Sequence, residues 1–242
     1  MQSLSIAFIF LFAILANWTQ TPSKKLTITP LTGDLYVFTS YGMYNDQPVP
    51  ANGMYLVTKD GAVLFDAPWD TTQFQPLLDS IKRKHGQNVV LCLATHWHDD
   101  RSAGLTFYAK HGAKTYTSKL TDQLCKEYHK PRPNYTFNQD TVFTVGEYSF
   151  EAYYPGEGHT KDNIVVWLEK DKVLYGGCLI KSTAATNLGN VDDGNVRAWP
   201  QSIRNIQQRF GLPQYIVTGH DRWDSKASLD YTLKLLAEQG AN

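Results

Sequence analysis

Val89-Val90-Leu91-Cys92-Leu93-Ala94-Thr95-His96-Trp97-His98-Asp99-Asp100-Arg101 is the stretch whose reading decides the fold. Its first six residues form an apolar run of strand length, the pattern of a strand buried on both faces. The run then opens into two imidazoles two residues apart, with a carboxylate two further on. Loops at strand ends are where scaffolds place functional groups. Imidazole nitrogen and carboxylate oxygen are donors that zinc takes in water-activating sites. A metal centre is therefore expected at the end of this strand, one able to hold more than one ion.

Working outward, strand patterns precede this stretch at 26–28, 35–39, 54–58 and 62–65, with Lys59-Asp60-Gly61 as a tight turn between the last two. Residues 40–52, SYGMYNDQPVPAN, are rich in turn formers and aromatics and read as a hairpin or mobile loop rather than core. Asp70 can cap a helix over 71–84 with Phe74, Leu77, Leu78 and Ile81 on one face. Beyond the histidines, short helices are expected at 104–110 and, capped by Ser118, through 127. The second half repeats the layout: strands near 142, 148–154, 164–168 and 173–175, a helix over 199–210, a strand at 215–217 and a last helix over 225–238. Two strand-rich halves, each with helices, are expected to pack sheet on sheet with helices outside. The expected fold class is α/β, a four-layer αββα sandwich; an ordinary three-layer α/β fold is the alternative.

Three further donors share one local grammar, a strand followed by glycine and then a ligand-type residue. His159 follows Gly156-Glu157-Gly158, Cys178 follows Gly176-Gly177, and His220 follows Gly219. Glycine permits the sharp turn that presents the next side chain to a common point. Singly, each reads as a hydrogen-bonded turn residue; together with the His96 loop they read as a ligand set. His85, His111 and His129 lie in helical contexts beside Lys and Gly, read as surface residues, and are given no role.

The chain has 242 residues with 23 Lys plus Arg against 23 Asp plus Glu, so nothing points to nucleic acid or an anionic membrane as partner. Residues 4–16, LSIAFIFLFAILA, carry no charge and have signal-peptide length. Residues 1–20 are therefore expected to be an export signal and 21–242 the folded domain, with a buried terminal strand or helix as the alternative reading. No Cys follows the apolar run, so no lipid anchor is expected there. The three Cys are too few for a disulfide-built scaffold. Cys92 and Cys125 read as small core residues, and whether they pair is open.

His96, His98, Asp100, His159, Cys178 and His220, in that order, resemble the ligand series of class B metallo-β-lactamases of the first subclass. Supporting matches are residues 64–69 (LFDAPW), 178–181 (CLIK) and 187–190 (NLGN), and the resemblance runs from about residue 25 to the C-terminus. It implies that His96, His98 and His159 hold one zinc and that Asp100, Cys178 and His220 hold a second. It further implies hydrolysis of the β-lactam amide by a metal-activated hydroxide, conferring resistance that includes carbapenems, in a periplasmic, monomeric enzyme. Asp100, Lys181 and Asn190 are then the catalytic set: Lys181 grips the substrate carboxylate, as an ammonium point charge suits, and the Asn190 amide polarises the lactam carbonyl. Asp66 and Arg101 stand behind the ligands and orient them; singly they read as a turn cap and a surface ion pair. Tyr41, Met43, Tyr44 and Trp69 are expected to form an apolar lid.

Two rivals share much of this pattern. A thioester hydrolase of the glyoxalase II type typically carries His where Arg101 stands and Asp where Cys178 stands, and both departures argue against it. A non-catalytic zinc-binding protein would use the same six ligands but leaves Lys181, Asn190 and the lid unexplained.

Overall fold

The computed structural model describes residues 25–138 and 140–240; the expected leader, residues 1–20, lies outside them. A seven-stranded sheet runs in chain order: β1 (Thr27–Thr32), β2 (Leu35–Tyr44), β3 (Gln47–Thr58), β4 (Gly61–Phe65), β5 (Val89–Leu93), β6 (Lys114–Ser118) and β7 (Tyr135–Phe137). Its first four strands are antiparallel, and β4 through β7 are parallel. The second sheet has five strands: β8 (Thr141–Val145), β9 (Tyr148–Tyr153), β10 (Val165–Leu168), β11 (Val173–Gly177) and β12 (Tyr215–Thr218). Only its β11/β12 pair is parallel.

The sheets pack face to face. Inward residues of both, among them Val37, Met54, Val63, Phe65, Leu93, Phe150, Val166 and Tyr175, make one buried cluster between them. Phe65 meets Phe150 edge-on across the interface, with ring centroids 4.9 Å apart. Such a pair contributes about 0.5–1.5 kcal/mol beyond the area it buries. On the outer face of the first sheet, α1 (Phe74–His85) buries Phe74, Leu77 and Ile81 against Phe38, Leu64 and Cys92. On the outer face of the second, α2 (Trp199–Phe210) and α3 (Ser228–Glu238) bury Trp199, Ile203, Ile206, Leu229 and Leu236 against Val165, Leu174 and Ile216. The αββα expectation holds: β4, β5 and β11 are buried along their whole length or nearly so, which only a sheet covered on both faces requires.

Several local expectations change. Residues 40–52 extend β2 and β3 into a ten-pair antiparallel hairpin, closed at Asn45 and Asp46, both at positive φ. That is a two-residue turn whose twist suits a hairpin. Its base is core: Ser40, Ala51 and Asn52 are buried. The strands β6 and β7 are additional to the expected set, and the last helix starts at Ser228 rather than 225. His85 is half-buried, with its Nε2 3.0 Å from the Tyr55 hydroxyl.

Parallel strands end on the same side. His96 follows β5, Cys178 follows β11 and His220 follows β12, while His159 lies in the β9–β10 connection. Four separate loops therefore converge on one edge of the sandwich. Among the described residues no helix is long and apolar enough to cross a membrane.

Candidate metal centre

Three imidazoles form the first half of the centre. The ring centroids of His96, His98 and His159 lie 4.9, 5.0 and 5.1 Å apart, each pair nearly perpendicular. One ring nitrogen from each falls within 4.8 Å of the others. His96 and His159 are buried, and burial holds both well below the ordinary imidazole range, so both are neutral donors. His96 Nε2 and His159 Nδ1 are buried with no hydrogen-bond partner. An orphaned buried nitrogen is costly unless something completes it. His98 is set differently: its Nε2 faces Asp193 Oδ1 and Oδ2 at 3.1 and 3.2 Å. Donation from Nε2–H to that carboxylate fixes the tautomer and leaves the Nδ1 lone pair free. Asp193 is itself held by the Trp97 indole N–H at 2.8 Å.

The second half is tighter. Cys178 Sγ lies 3.3 Å from Asp100 Oδ2 and 3.2 Å from His220 Nε2, and His220 Nε2 lies 3.1 Å from Asp100 Oδ2. Ligand bonds of about 2.0–2.3 Å place tetrahedral donors roughly 3.3–3.8 Å apart. This triangle is close to that spacing, and its mix of thiol, imidazole and carboxylate suits zinc. His220 donates from Nδ1 to the Pro50 carbonyl at 2.7 Å, which aims Nε2 inward. Burial opposes a charge on His220, yet Cys178 and Asp100 beside it push the imidazole up to about 10. A proton is thus held where a cation would sit, and metal binding displaces such protons. Asp100 Oδ1 is 4.0 Å from His96 Nε2, so the two halves adjoin.

Glycine has a steric reason in two of these loops. Gly177 sits at φ +50, where an L side chain is strained, and a Cβ there would lie 3.0 Å from Thr95 Oγ1. A Cβ on Gly219 would come within 2.7 Å of Arg101 Nη2 and of backbone before Cys178.

Behind the second triad lies a fully buried polar knot. Arg101 Nη1 donates to the Asn52 carbonyl at 2.6 Å and reaches Asp66 Oδ2 at 3.4 Å; Nη2 donates to the Gly219 carbonyl at 2.7 Å and pairs with Asp100 Oδ2 at 2.9 Å. Burial alone would raise the Asp100 carboxyl; Arg101, with His220 beside it, holds it well below the usual carboxylate range. Asp66 accepts from Thr95 N at 2.6 Å, Thr95 Oγ1 at 2.9 Å and the Tyr175 hydroxyl at 2.6 Å. For Asp66, burial outweighs the pull of Arg101 and these donors, and its pKa is raised. Asp66 also adopts φ +64 at the end of β4, a conformation its surroundings must over-determine. The surface-pair reading of Arg101 does not describe this residue.

Both triads open into one cavity of about 860 Å³. Lys181, buried on its floor, has its Nζ 5.4 Å over the Trp199 ring, and burial lowers its pKa. Asn190 lies on the rim; its Oδ1 accepts from Asp192 N at 3.2 Å, which leaves Nδ2 available. Of the four expected lid residues, Tyr44 and Trp69 line this cavity, whereas Tyr41 and Met43 line a separate groove on the other side of the hairpin. Strand alternation separates them. Asp193, Trp97, Tyr128 and Asn52 carry no signal in the sequence that marks them as part of the centre. A carboxylate behind a ligating imidazole is a general expectation, but nothing local ties residue 193 to residue 98.

The model of the Metallo-beta-lactamase superfamily matches residues 46–235. A type 2 metallo-beta-lactamase of Elizabethkingia meningoseptica is 45% identical over 219 residues, covering 90% of this chain and 87% of that protein. Metallo-beta-lactamase IND-1 of Chryseobacterium indologenes is 38% identical over 233 residues, 96% and 98% of the two chains. The solved structure of a metallo-beta-lactamase from Pontibacter korlensis is similar with a TM-score of 0.86 at 40% identity, covering 89% of this chain and all of that one. With three histidines on one side of its centre and Asp, Cys and His on the other, the chain belongs to the metallo-beta-lactamase superfamily, in the first subclass of class B.

Proposed function

We propose that the protein is an exported zinc β-lactamase that opens the β-lactam amide, carbapenems included, and so confers resistance to these antibiotics. The observation that carries this reading is the buried Lys181 ammonium on the floor of the cavity into which both donor triads open. An amide hydrolase with no need to hold an anion has no use for a desolvated cation there. His96, His98 and His159 would hold one zinc ion and Asp100, Cys178 and His220 a second. When bound, zinc supplies Lewis acidity, making water nucleophilic near neutral pH and stabilising charge that develops on the opening amide.

The chain's own groups do the rest. Lys181 Nζ anchors the substrate carboxylate, fixing the lactam nitrogen toward the Asp100–Cys178–His220 side and the carbonyl toward the three histidines. Asn190 Nδ2 donates to the carbonyl oxygen as charge builds there. Arg101 and Asp66 hold Asp100 and the His96 loop in register. Tyr44 and Trp69 screen the centre from bulk water. Two zinc ions, a monomeric state, freedom from any membrane anchor, and a periplasmic location reached through cleavage of residues 1–20 belong to the same proposal.

The test is hydrolysis of a chromogenic cephalosporin by the purified, zinc-loaded protein. Turnover is expected; none with both triads zinc-loaded would overturn the reading. Lys181→Ala is expected to lower kcat/KM by roughly 10- to 100-fold, mainly through KM, since a charge-assisted contact contributes about 1.5–3 kcal/mol. Lys181→Arg should recover part of the loss. A KM unchanged in Lys181→Ala would remove the anchor from the argument.

A further inference from the structure

The β2–β3 hairpin is fastened at its base by a side chain that has no part in the centre itself. β1 pairs with β2 only as far as Thr27 opposite Thr39, so from Ser40 onward the outer edge of β2 has no neighbouring strand among the described residues. Carried on, the same register would set residue 25 opposite Tyr41. Gln73 takes that place. Its Oε1 accepts from Tyr41 N at 3.1 Å and its Nε2 donates to the Tyr41 carbonyl at 2.8 Å, the two bonds a strand residue would exchange there. Across the hairpin Tyr41 pairs with Pro50, which has no N–H to offer that carbonyl. Gln73 stands at the N-cap position of α1 yet makes no cap bond; its side chain is committed to a residue 32 positions away. The turn that carries it is set independently, by Asp70 Oδ1 accepting from Thr72 N at 2.8 Å.

The same base is joined to the second triad. Pro50, opposite Tyr41, offers the carbonyl that accepts from His220 Nδ1 at 2.7 Å. Trp69 adds a second hold: its ring lies edge-on to His220 with centroids 6.1 Å apart, its N–H donates to Ser40 Oγ at 3.1 Å, and a side chain on Gly42 would collide with the ring. Residues 43–47 beyond these contacts are exposed. We propose that Gln73 is a positioning residue for His220: by standing in for a strand at Tyr41 it fixes the Tyr41–Pro50 pair, and with it the carbonyl that aims the imidazole. The proposal rests on the reading of His220 as a zinc ligand and deepens it. A strand edge without a partner exchanges its bonds with water and opens locally. The group behind a ligating imidazole sets the direction of its free nitrogen, so fraying at Pro50 would reach the metal. The hairpin then divides in two: a base, 40–42 and 49–52, that belongs to the centre, and a tip, 43–48, that does not.

Gln73→Ala and Gln73→Glu test this. Glutamate keeps the shape of the side chain and can accept from Tyr41 N, but its carboxylate has nothing to donate and meets the Tyr41 carbonyl as a second acceptor. In zinc-free protein of either variant, amide exchange at Val49 and Ala51, which flank Pro50, is expected to quicken roughly tenfold or more, while exchange in β5 keeps its wild-type rate. In competition with a chelator, the affinity for one of the two zinc ions should fall about three- to tenfold and that for the other should change by less than about twofold. Wild-type exchange at Val49 and Ala51, or unchanged affinity for both ions, would overturn the proposal. Exchange that quickens as much in β5 would make Gln73 a general stabiliser, and wild-type behaviour of Gln73→Glu would make it a filler of space; either result also overturns it. No β-lactam enters these measurements. Absence of turnover in zinc-loaded protein would bring down the β-lactamase reading alone, whereas wild-type protein that takes up no zinc would bring down both.

Discussion

Stripping zinc with a chelator should lower β-lactam turnover by at least about a thousandfold, and added zinc should restore it. The size follows from the donors. His96 and His159 are neutral and buried, and the structure offers no protein proton acceptor to either His96 Nε2 or His159 Nδ1. Lewis-acid chemistry contributes several kcal/mol to amide opening, and each 1.36 kcal/mol is tenfold in rate. Cys178→Ser separates the halves of the centre. It exchanges a soft donor for a hard, weakly acidic one at a position 3.3 Å from Asp100 and 3.2 Å from His220. Zinc content is expected to fall by about one ion per chain relative to the wild type, with kcat/KM at least about tenfold lower; removing what orients or completes a metal site typically costs about 10–100-fold. Elemental analysis and kinetics on the same sample check both. Turnover that survives complete zinc removal would refute the mechanism. Full activity of Cys178→Ser with one zinc would show the second triad to be dispensable.

What could be read in the chain beforehand was what is local in it. The His96-Trp97-His98-Asp99-Asp100 spacing and the glycine before His159, Cys178 and His220 are each contained in a few residues, and those four loops do converge. What pairs across long separations could not be read. Asp193 fixes His98 from 95 positions away, and Asn52 lies in a segment whose composition resembles a loop. Yet Asn52 is buried, donating from Nδ2 to the carbonyls of Thr218 and Asp221 and offering its own carbonyl to Arg101. β6 was invisible for a similar reason. Its most buried positions, Thr115 and Thr117, are polar and lie on the helix-covered face, opposite Tyr116, and the Thr115 hydroxyl is satisfied by Asn134 nineteen residues on, so no hydrophobic alternation marks the strand. For the hairpin, composition indicated exposed aromatics but not which face each would take; a period of two residues decides that Tyr44 meets the cavity and Met43 does not.

Arg101→Met should be the most destabilising single change near the centre, by about 3–5 kcal/mol, a fall in Tm of roughly 10 °C for a chain of this length. The guanidinium is fully buried and bridges four segments: the hairpin base through Asn52, the end of β4 through Asp66, its own loop through Asp100 and the β12 end through Gly219. Methionine fills much of the same volume, so the loss is electrostatic rather than a cavity. It leaves the carboxylates of Asp66 and Asp100 buried without their cation, and it takes one donor from each of the Asn52 and Gly219 carbonyls, which keep only the Tyr175 hydroxyl and the Asn52 N–H. Replacing every charge in such a knot by apolar groups can be neutral; removing one partner is what costs. Lysine does not restore the network, because a single ammonium cannot hold acceptors on both sides as Nη1 and Nη2 do, so Arg101→Lys is expected to recover less than half the loss. Zinc adds stability to whichever form binds it, so denaturation must be followed in zinc-free and zinc-loaded protein alike. An Arg101→Met variant within about 1 kcal/mol of wild type in the zinc-free state would mean that the knot orients the ligands without holding the fold. The loss would then surface only in zinc affinity, and Arg101 would be tuned to the metal rather than to the sandwich.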